Sequence, residues 1–162
     1  MNIFYLSTDP RLAAKQHCDQ HVVKMMVETA QLLCTAHHVC ETATPNLYKP
    51  THKNHPCAIW VRNSRANYQW AYRLLYWLCT EYEYRRGRKS KVEELLPSLA
   101  VPPGSLSSEP FVDPPQCMPE KYKSNNTVAA YQNYYIGDKT FARWVWKRKP
   151  PLWWQPELEK SK

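Results

Sequence analysis

Glycine is scarce in this sequence, with three among 162 residues. A phosphate-binding loop of the GxGxxG or GxxxxGK type cannot be built from so few, which argues against the nucleotide-binding folds. No apolar run approaches the roughly 18 residues that span a bilayer. The first residues, MNIFYLSTDPR, lack the basic start and the apolar centre of a signal peptide. We therefore expect a cytoplasmic protein with no membrane partner.

No two cysteines stand at the CxxC spacing, although the chain has six. Several of them fall on apolar positions of predicted helices, as buried free thiols do. We interpret the set as reduced and structural: Cys18, Cys34, Cys40, Cys57, Cys79 and Cys117. A hydrophobic content of 43% is enough for one core at this length, which predicts a single domain over residues 1–162.

Charge and aromatic content both depart from the average. The formal net charge is +8 and the pI is near 9.2, which favours a polyanionic partner, DNA or RNA. Seven Trp and eleven Tyr stand against three Phe. Tyr and Trp combine an apolar face with a polar tip, which suits stacking on bases and equally suits half-buried core positions.

Helix signals predict an all-α domain of about four helices with long Pro-rich connections. Asp9 is the expected N-cap of the first helix, with Pro10 in its first turn, and the pattern continues to about His38. Near the start, NIFYLS is the one strand-like run. The predicted apolar face of the first helix has a period of 3.6 residues and comprises Leu12, Val22, Val23, Met26, Ala30, Leu33 and Cys34.

Three further helices follow in the prediction. One spans residues 56–86, with a break near Asn63 and Ser64 and with Gly87 as its C-terminal cap. A short helix begins at Ser90, and a last one is capped at Asn125 or Asn126 and loosened at Gly137. Residues 41–56 form a loop, residues 101–123 form a Pro-rich strap, and residues 144–162 form a basic and aromatic tail.

A stripe of four residues in the first predicted helix could carry chemistry. His17, His21, Lys24 and Glu28 fall at spacings of four, three and four, roughly opposite the apolar face. The stripe could be a solvated face, but its groups are chemically complementary. A lysine can form a Schiff base, a carboxylate one turn away can move protons, and histidines can relay protons or bind phosphate.

Metal binding is the alternative chemistry for these histidines. His17 and His21 could share one ion, which His52 or His55 from the loop would complete. No carboxylate lies between them as in HExxH, so we predict neither a metal nor another cofactor.

Three segments predict contacts with nucleic acid, DNA being favoured. The loop YKPTHKNHP leads into a helix N-terminus that suits a phosphate, although it could be a polar loop with Asn54 as the cap. The segment YRRGRKSK could be a solvated helix end, and the Trp residues of RWVWKRKPPLWW could tuck into the core instead. The predicted contacts are Lys49, Thr51, His52, Lys53, Asn54, His55, Arg85, Arg86, Arg88, Trp146, Lys147, Arg148, Lys149, Trp153 and Trp154.

The layout resembles the phage-type pyrimidine-dimer DNA glycosylases, the endonuclease V family. An early helix, RLAAKQHCDQHVVKMMVE, and a basic aromatic C-terminus, KRKPPLWW, occupy matching places. Between them runs a dispersed pattern of Tyr48, His55, Pro56, Tyr68, Glu81, Arg86 and Gly87. The resemblance implies a small all-α enzyme that cuts the glycosidic bond of damaged bases and then nicks the backbone. The chain is also similar to proteins in viruses of aquatic microbes, which implies a viral source and a host cytoplasm.

The nucleophile differs from that implied by the resemblance. In the family it is the α-amine of a small residue exposed by removal of Met, whereas Asn2 is large enough that Met1 should be retained. We therefore predict a base-excising glycosylase with AP-lyase activity in which Lys24 is the nucleophile and Glu28 the acid and base, supported by His17 and His21. The Met1 amine is the other candidate nucleophile. The alternatives are a non-catalytic nucleic-acid-binding protein and a histidine-metal-dependent nuclease or hydrolase.

Overall fold

A computed structural model describes residues 1–155, and within that range the chain is all-helical, with no strand. The predicted tail, residues 144–162, is described as far as Gln155, and its last part lies outside the described residues. The described elements are α1 (Pro10–Gln16), α2 (Asp19–Val39), α3 (Pro56–Asn63), α4 (Arg65–Arg86), α5 (Leu96–Leu99) and α6 (Thr127–Asp138), with 3-10 turns at Lys91–Leu95 and Glu120–Tyr122. The prediction of about four helices was therefore too low for this range.

The first predicted helix is two helices. Asp9 caps α1 by accepting a hydrogen bond from the Arg11 N–H at 2.9 Å, with Pro10 in the first turn, as predicted. At His17 and Cys18, however, the backbone is extended, with ψ angles of 135° and 162°, and the helix is interrupted. The expected single helix over residues 10–38 is wrong at this point.

A second break, near Ser64, was predicted and is confirmed. Ser64 ends α3 with extended backbone, and its hydroxyl accepts the Asn67 N–H at 3.1 Å as the N-cap of α4. Gly87 closes α4 with a φ of 72°, a left-handed conformation that glycine adopts at little cost. Ser90 caps the turn that leads into α5, and Asn126 caps α6.

One hydrophobic core unites these helices into a compact domain. α4 packs along α1 and α2, and α3 packs against both long helices. The strand-like run near the start is instead an extended segment, Ile3 to Leu6, that is almost completely buried. Its neighbours hold it with side chains: the Gln132 amide donates to the Leu6 carbonyl at 3.2 Å, and the Tyr5 ring lies 5.0 Å from that of Trp70.

The predicted apolar face is correct in part. Five of its seven members are buried, but Leu12 and Val23 are 44% and 38% exposed. Leu12 lies in α1. Because the break at residues 17–18 separates α1 from α2, the apolar face of α1 does not continue in the helical register of α2. None of the helices within residues 1–155 combines the length and the apolarity needed to traverse a bilayer.

The Pro-rich strap and the tail cover the helices. The strap contacts the junction of α3 and α4, where Trp60 Nε1 donates to the Val112 carbonyl at 2.9 Å. In the tail, Trp144 is buried and its Nε1 donates to the Gln16 carbonyl at 3.1 Å. Gly137 does not end α6; it leaves room for the Tyr122 ring, with which any added side chain would collide.

Candidate active site

A polar cavity of about 240 Å³ lies where the N-terminus meets α2. The N-terminal segment brings Met1 there, α2 contributes four side chains, and the N-cap of α3, the strap and α6 with its C-cap complete the wall. Its charged and titratable groups are the Met1 amine, His21, Lys24, Glu28, His55, Cys117, Tyr134 and Lys139. Three of the four residues of the predicted stripe therefore share one cavity, on a helix face that is partly enclosed.

The Met1 amine and the Glu28 carboxylate form the central pair of this cavity. Their nitrogen and oxygen are 3.6 Å apart, and the two side chains are 6% and 19% exposed. Asn2 fixes the position of the terminus, because its amide donates to the Cys117 carbonyl at 2.8 Å and its oxygen accepts the Tyr131 hydroxyl at 3.0 Å. The sequence pointed to Lys24 as the amine and gave no sign that the terminus would meet Glu28.

Lys24 borders the same cavity one turn before Glu28, as its spacing predicted, and it is exposed. A second lysine, Lys139, enters from the end of α6. Its ammonium donates to the Tyr134 hydroxyl at 3.2 Å and lies 5.7 Å from the centre of the Phe4 ring. The sequence analysis missed Lys139, because only the packing of α6 brings it near α2.

His21 is a neutral, enclosed part of the cavity wall. Its Nδ1 forms a 2.6 Å hydrogen bond with the Tyr135 hydroxyl, and its ring centre lies 4.5 Å from that of Phe4. Burial, together with the charges of His17, Lys139 and Lys24, lowers the pKa of His21 to about 2. An imidazole that stays uncharged at neutral pH cannot supply the cation expected for a phosphate contact.

His17 lies outside this cavity, contrary to the predicted stripe. It follows the end of α1, is 0% exposed, and its Nδ1 donates to the Ala13 carbonyl at 2.6 Å. Burial lowers its pKa to about 4, although the hydrogen bond to Ala13 opposes that effect. The ring centres of His17 and His21 are 6.4 Å apart, and His17 does not border the cavity that His21 shares with His55.

In the loop before α3, some of the predicted contact residues are exposed and others are half-buried and hold the loop in place. Lys49, His52, Lys53 and Asn54 are exposed, whereas Thr51 and His55 are half-buried. Thr51 is tied to α2, because its N–H donates to the Thr35 hydroxyl at 3.1 Å.

The N-cap of α3 is His55, where Asn54 had been considered. The His55 Nδ1 accepts the Cys57 N–H at 3.0 Å, and the same ring borders the cavity. Burial lowers the pKa of His55, and the nearby N-terminal charge and His52 add to the effect, against the opposing Glu28. His55 thus belongs to the cavity and to α3 rather than to an exposed phosphate-binding loop.

Arg85 does not belong to a nucleic-acid surface, contrary to the sequence prediction. It is 5% exposed, and its guanidinium donates to Asp19 at 3.0 Å and to Glu81 at 2.9 Å. It also donates to the carbonyls of His17 and Lys15, at 2.8 and 2.9 Å, which the break between α1 and α2 leaves free. Arg85 therefore stabilises the helix break.

Arg148 completes this buried ionic cluster, which consists of Asp19, Glu81, Arg85 and Arg148. Its guanidinium donates to both carboxylate oxygens of Glu81, at 3.1 and 2.7 Å. Burial alone would raise the pKa of Glu81, but the hydrogen bonds and charges of Arg148 and Arg85 outweigh it and lower the pKa. Arg148 is consequently held in an ion pair and is only 29% exposed.

The other predicted nucleic-acid contacts divide into exposed cations and packed aromatics. Arg86, Arg88, Lys147 and Lys149 are exposed, and Arg86 lies over the half-buried Trp146 ring at 4.3 Å. Trp153 and Trp154 are half-buried and pack around Trp144 and Tyr135. The interpretation in which these two Trp residues tuck into the core is the one that the contacts support.

A groove of about 770 Å³ between α6 and the tail adjoins the cavity. Aromatic and basic side chains line it, among them Tyr122, Trp144, Trp154, Lys121 and Arg143. Tyr122 of the groove packs against Tyr134 of the cavity wall, with their ring centres 5.5 Å apart. No protein-family model, curated protein or solved structure matches the chain. Function must therefore be inferred from the chemistry of these two spaces and of the basic surface.

Proposed function

We propose that the chain is a base-excising DNA glycosylase with AP-lyase activity, acting through an imine between an amine of the cavity and the deoxyribose. The observation that carries the proposal is the Met1 amine lying 3.6 Å from the Glu28 carboxylate inside a small polar cavity. An amine next to a carboxylate is the pair of groups that imine chemistry requires: one attacks the sugar and the other moves protons.

Three amines border the cavity, those of Met1, Lys24 and Lys139, and the last donates to the Tyr134 hydroxyl at 3.2 Å. Met1 pairs with Glu28 and is nearly enclosed, whereas Lys24 is exposed at the rim. The Met1 nitrogen has the Glu28 carboxylate beside it, at 3.6 Å, to take up the proton that the attack releases. We therefore assign the attack to Met1 and give Lys24 a supporting role beside the sugar or its phosphate.

The reaction then needs three steps from these residues. The amine attacks C1′, the glycosidic bond breaks, and the base leaves with the bonding electron pair and is protonated. Glu28 accepts the proton that the amine loses and passes it to O4′ as the C1′–O4′ bond opens and the C1′=N imine forms, which leaves the carboxylate free again. Removal of a proton from C2′ by the same carboxylate expels the 3′ phosphate and nicks the strand, and water finally releases the sugar from the amine.

DNA as the substrate is supported by the groove and by the surface charge. A base displaced from the duplex has aromatic faces to stack on in the groove, near Tyr122 and Trp154. The net charge is +8, and the exposed cations can contact phosphates. These cations are Lys49, Lys53, Arg86, Arg88, Lys147 and Lys149.

Borohydride trapping tests the proposal. Protein whose first residue is Met1 is incubated with a duplex that contains an abasic site, reduced, and digested, and mass spectrometry locates the adduct. We expect the adduct on the Met1 amine, undiminished in Lys24→Ala and lost when a Gly-Ser extension precedes Met1. An adduct on Lys24 or Lys139 would give the role of nucleophile to that lysine, and the absence of an adduct on all three amines would exclude the imine route.

A non-catalytic nucleic-acid-binding protein is the second candidate, favoured by the exposed cations. Binding to intact duplex DNA should weaken with salt along a log–log slope of roughly −4 to −6 if about five to seven phosphates are contacted. Strong salt dependence without any trapped adduct would favour this second function. If binding does not weaken with salt, nucleic acid is not the partner in either of the two proposed functions.

A further inference from the structure

Two cysteines that are distant in sequence meet beside the cavity. Cys57 lies in the first turn of α3 and Cys117 lies in the strap, and their Sγ atoms are 3.8 Å apart. A ring nitrogen of His55 joins them, so that the three possible ligand atoms all lie within 4.8 Å of one another. A disulfide needs sulfurs at about 2.05 Å, so the pair is held apart as two thiols.

The spacing of the sulfurs matches the geometry of a zinc site. Zinc binds thiolates at about 2.3 Å in a tetrahedral arrangement, which places two sulfur ligands about 3.8 Å apart. The observed Sγ to Sγ distance is 3.8 Å. Two thiolates and an imidazole are also the soft and borderline donors that zinc selects over magnesium or calcium.

The surrounding residues hold the ligands in position. Cys57 is 0% exposed and follows the His55 cap by two residues in α3. The Cys117 backbone is fixed on both sides, because its carbonyl accepts the Asn2 amide at 2.8 Å and its N–H donates to the Tyr131 hydroxyl at 3.3 Å. Ligands fixed by their own backbone contacts lose little freedom when an ion binds.

We propose that His55, Cys57 and Cys117 bind one zinc ion, with the fourth coordination position open to the cavity. His55 and Cys117 line the cavity that contains the Met1 amine, so a water molecule can fill the fourth position. A neutral imidazole has one free lone pair, which now accepts the Cys57 N–H. The ion would replace this N-cap hydrogen bond.

The zinc ion would stabilise the N-terminal segment. This proposal is separate from the glycosylase proposal. The ion would join α3 to the strap immediately below Asn2, which fixes the terminus. It does not require DNA, and DNA chemistry at Met1 does not require it. The two proposals can therefore fail independently.

Cobalt titration of the reduced, metal-free protein is the test. We expect one Co²⁺ per chain, with the thiolate charge-transfer absorption and the intense visible bands of tetrahedral coordination, and stoichiometric displacement by Zn²⁺. Cys57→Ser, Cys117→Ser and His55→Asn should each weaken binding at least about 100-fold, more than the loss of an outer-shell partner does. The matched control is Cys40→Ser, which removes a half-buried free thiol outside the cluster and should bind normally.

A second measurement covers variants that fail to fold. In the wild-type protein, Zn²⁺ should slow alkylation of the half-buried Cys117 by iodoacetamide, while Cys40 reacts at an unchanged rate. The proposal is overturned if the reduced wild-type protein binds no cobalt or zinc, or if zinc protects none of the thiols. It is also overturned if Cys40→Ser loses binding as fully as the cluster variants do.

Discussion

Asp19 and Glu28 are two carboxylates on α2, about two and a half turns apart, and their surroundings are opposite. Asp19 is 2% exposed, and its oxygens accept Arg85 at 3.0 Å and the N–H groups of Val145 and Trp146 at 2.7 and 3.1 Å. Glu28 faces a cavity and has one ion pair, at 3.6 Å. A carboxylate with every acceptor position occupied holds structure, whereas one with free positions can exchange protons.

The cations of the two regions differ in the same way. Arg85 uses its fork of donors to join α1, α2 and α4, so its charge is neutralised inside the core. Lys24 and Lys139 border the cavity on flexible stems, and Lys24 is exposed. Buried charges are tolerated when they are paired and fully hydrogen-bonded, which makes the ionic cluster of Asp19, Glu81, Arg85 and Arg148 a fixed element of the fold.

The largest effect is expected from Arg85→Met. The substitution leaves Asp19 buried without its cation and removes one of the two partners of Glu81, which costs about 3–5 kcal/mol of unfolding free energy. Urea denaturation measures it. Lys24→Met is the control, because it removes an exposed cation from the cavity rim. A loss below about 1 kcal/mol in Arg85→Met would show that the cluster does not differ from an ordinary surface pair.

Acid should weaken the protein through His17 and His21. Both are neutral when folded, with pKa values lowered by burial to about 4 and about 2, whereas an unfolded histidine titrates near 6.5. Between pH 6.5 and about 4 the unfolded state therefore binds more protons, and stability falls as the pH falls.

At pH 5 the loss is about 2 kcal/mol for each histidine, or about 4 kcal/mol in all, and above pH 6.5 it disappears. The groups that face them are Glu81 and Arg85 at His17, and Lys24 and Lys139 at His21. Urea unfolding at pH 7 and pH 5 measures the difference. His21→Leu should remove about half of it, and equal stabilities of the wild-type protein at the two pH values would contradict the prediction.

Glu28→Gln tests whether the cavity contributes to activity, in contrast to the ionic cluster, which contributes to stability. The amide keeps the shape of the side chain but cannot take up a proton, so base release should fall about 100-fold, equivalent to about 2.7 kcal/mol in the barrier. Stability should change by less than about 1 kcal/mol, since Glu28 has one ion pair and is partly exposed. A normal rate of base release in Glu28→Gln would remove the carboxylate from the mechanism.

The smallest effect is expected from Lys24→Ala. As an exposed residue it should alter stability by no more than about 0.5 kcal/mol. If it contacts a phosphate, the salt slope of DNA binding should become shallower by about 1, while borohydride trapping continues. Binding assays across a salt series measure the slope, and a large loss of stability would mean that Lys24 has a structural role.

Most helix boundaries were accessible from the sequence, whereas the break after α1 was not. Asp9 and Pro10, Ser64, and Gly87 act within one turn of their own positions, so their residue types suffice for a prediction. At residues 17–18 no proline or glycine interrupts the pattern. The break is stabilised by Arg85, which lies 68 residues beyond His17.

Some residues of the candidate site could also be predicted from the sequence, and others could not. The spacing of Lys24 and Glu28 places both on one face of α2 wherever that helix packs, and the cavity contains both. The stripe failed for His17 because it is not part of α2. Met1 and Lys139 could not be predicted, because their approach depends on how the N-terminal segment and α6 pack.

By itself the sequence determined an all-α chain, the caps that start and end its helices, a Pro-rich strap and a basic net charge, since these follow from local conformational preference and composition. Only the tertiary structure decided which charges are buried and which are available. It closed Arg85 inside the core, set the Met1 amine beside Glu28, and brought Cys57 to Cys117 across 60 residues. Such pairings depend on packing between distant segments, where side-chain volume and hydrogen-bond partners are set by residues far away in the chain.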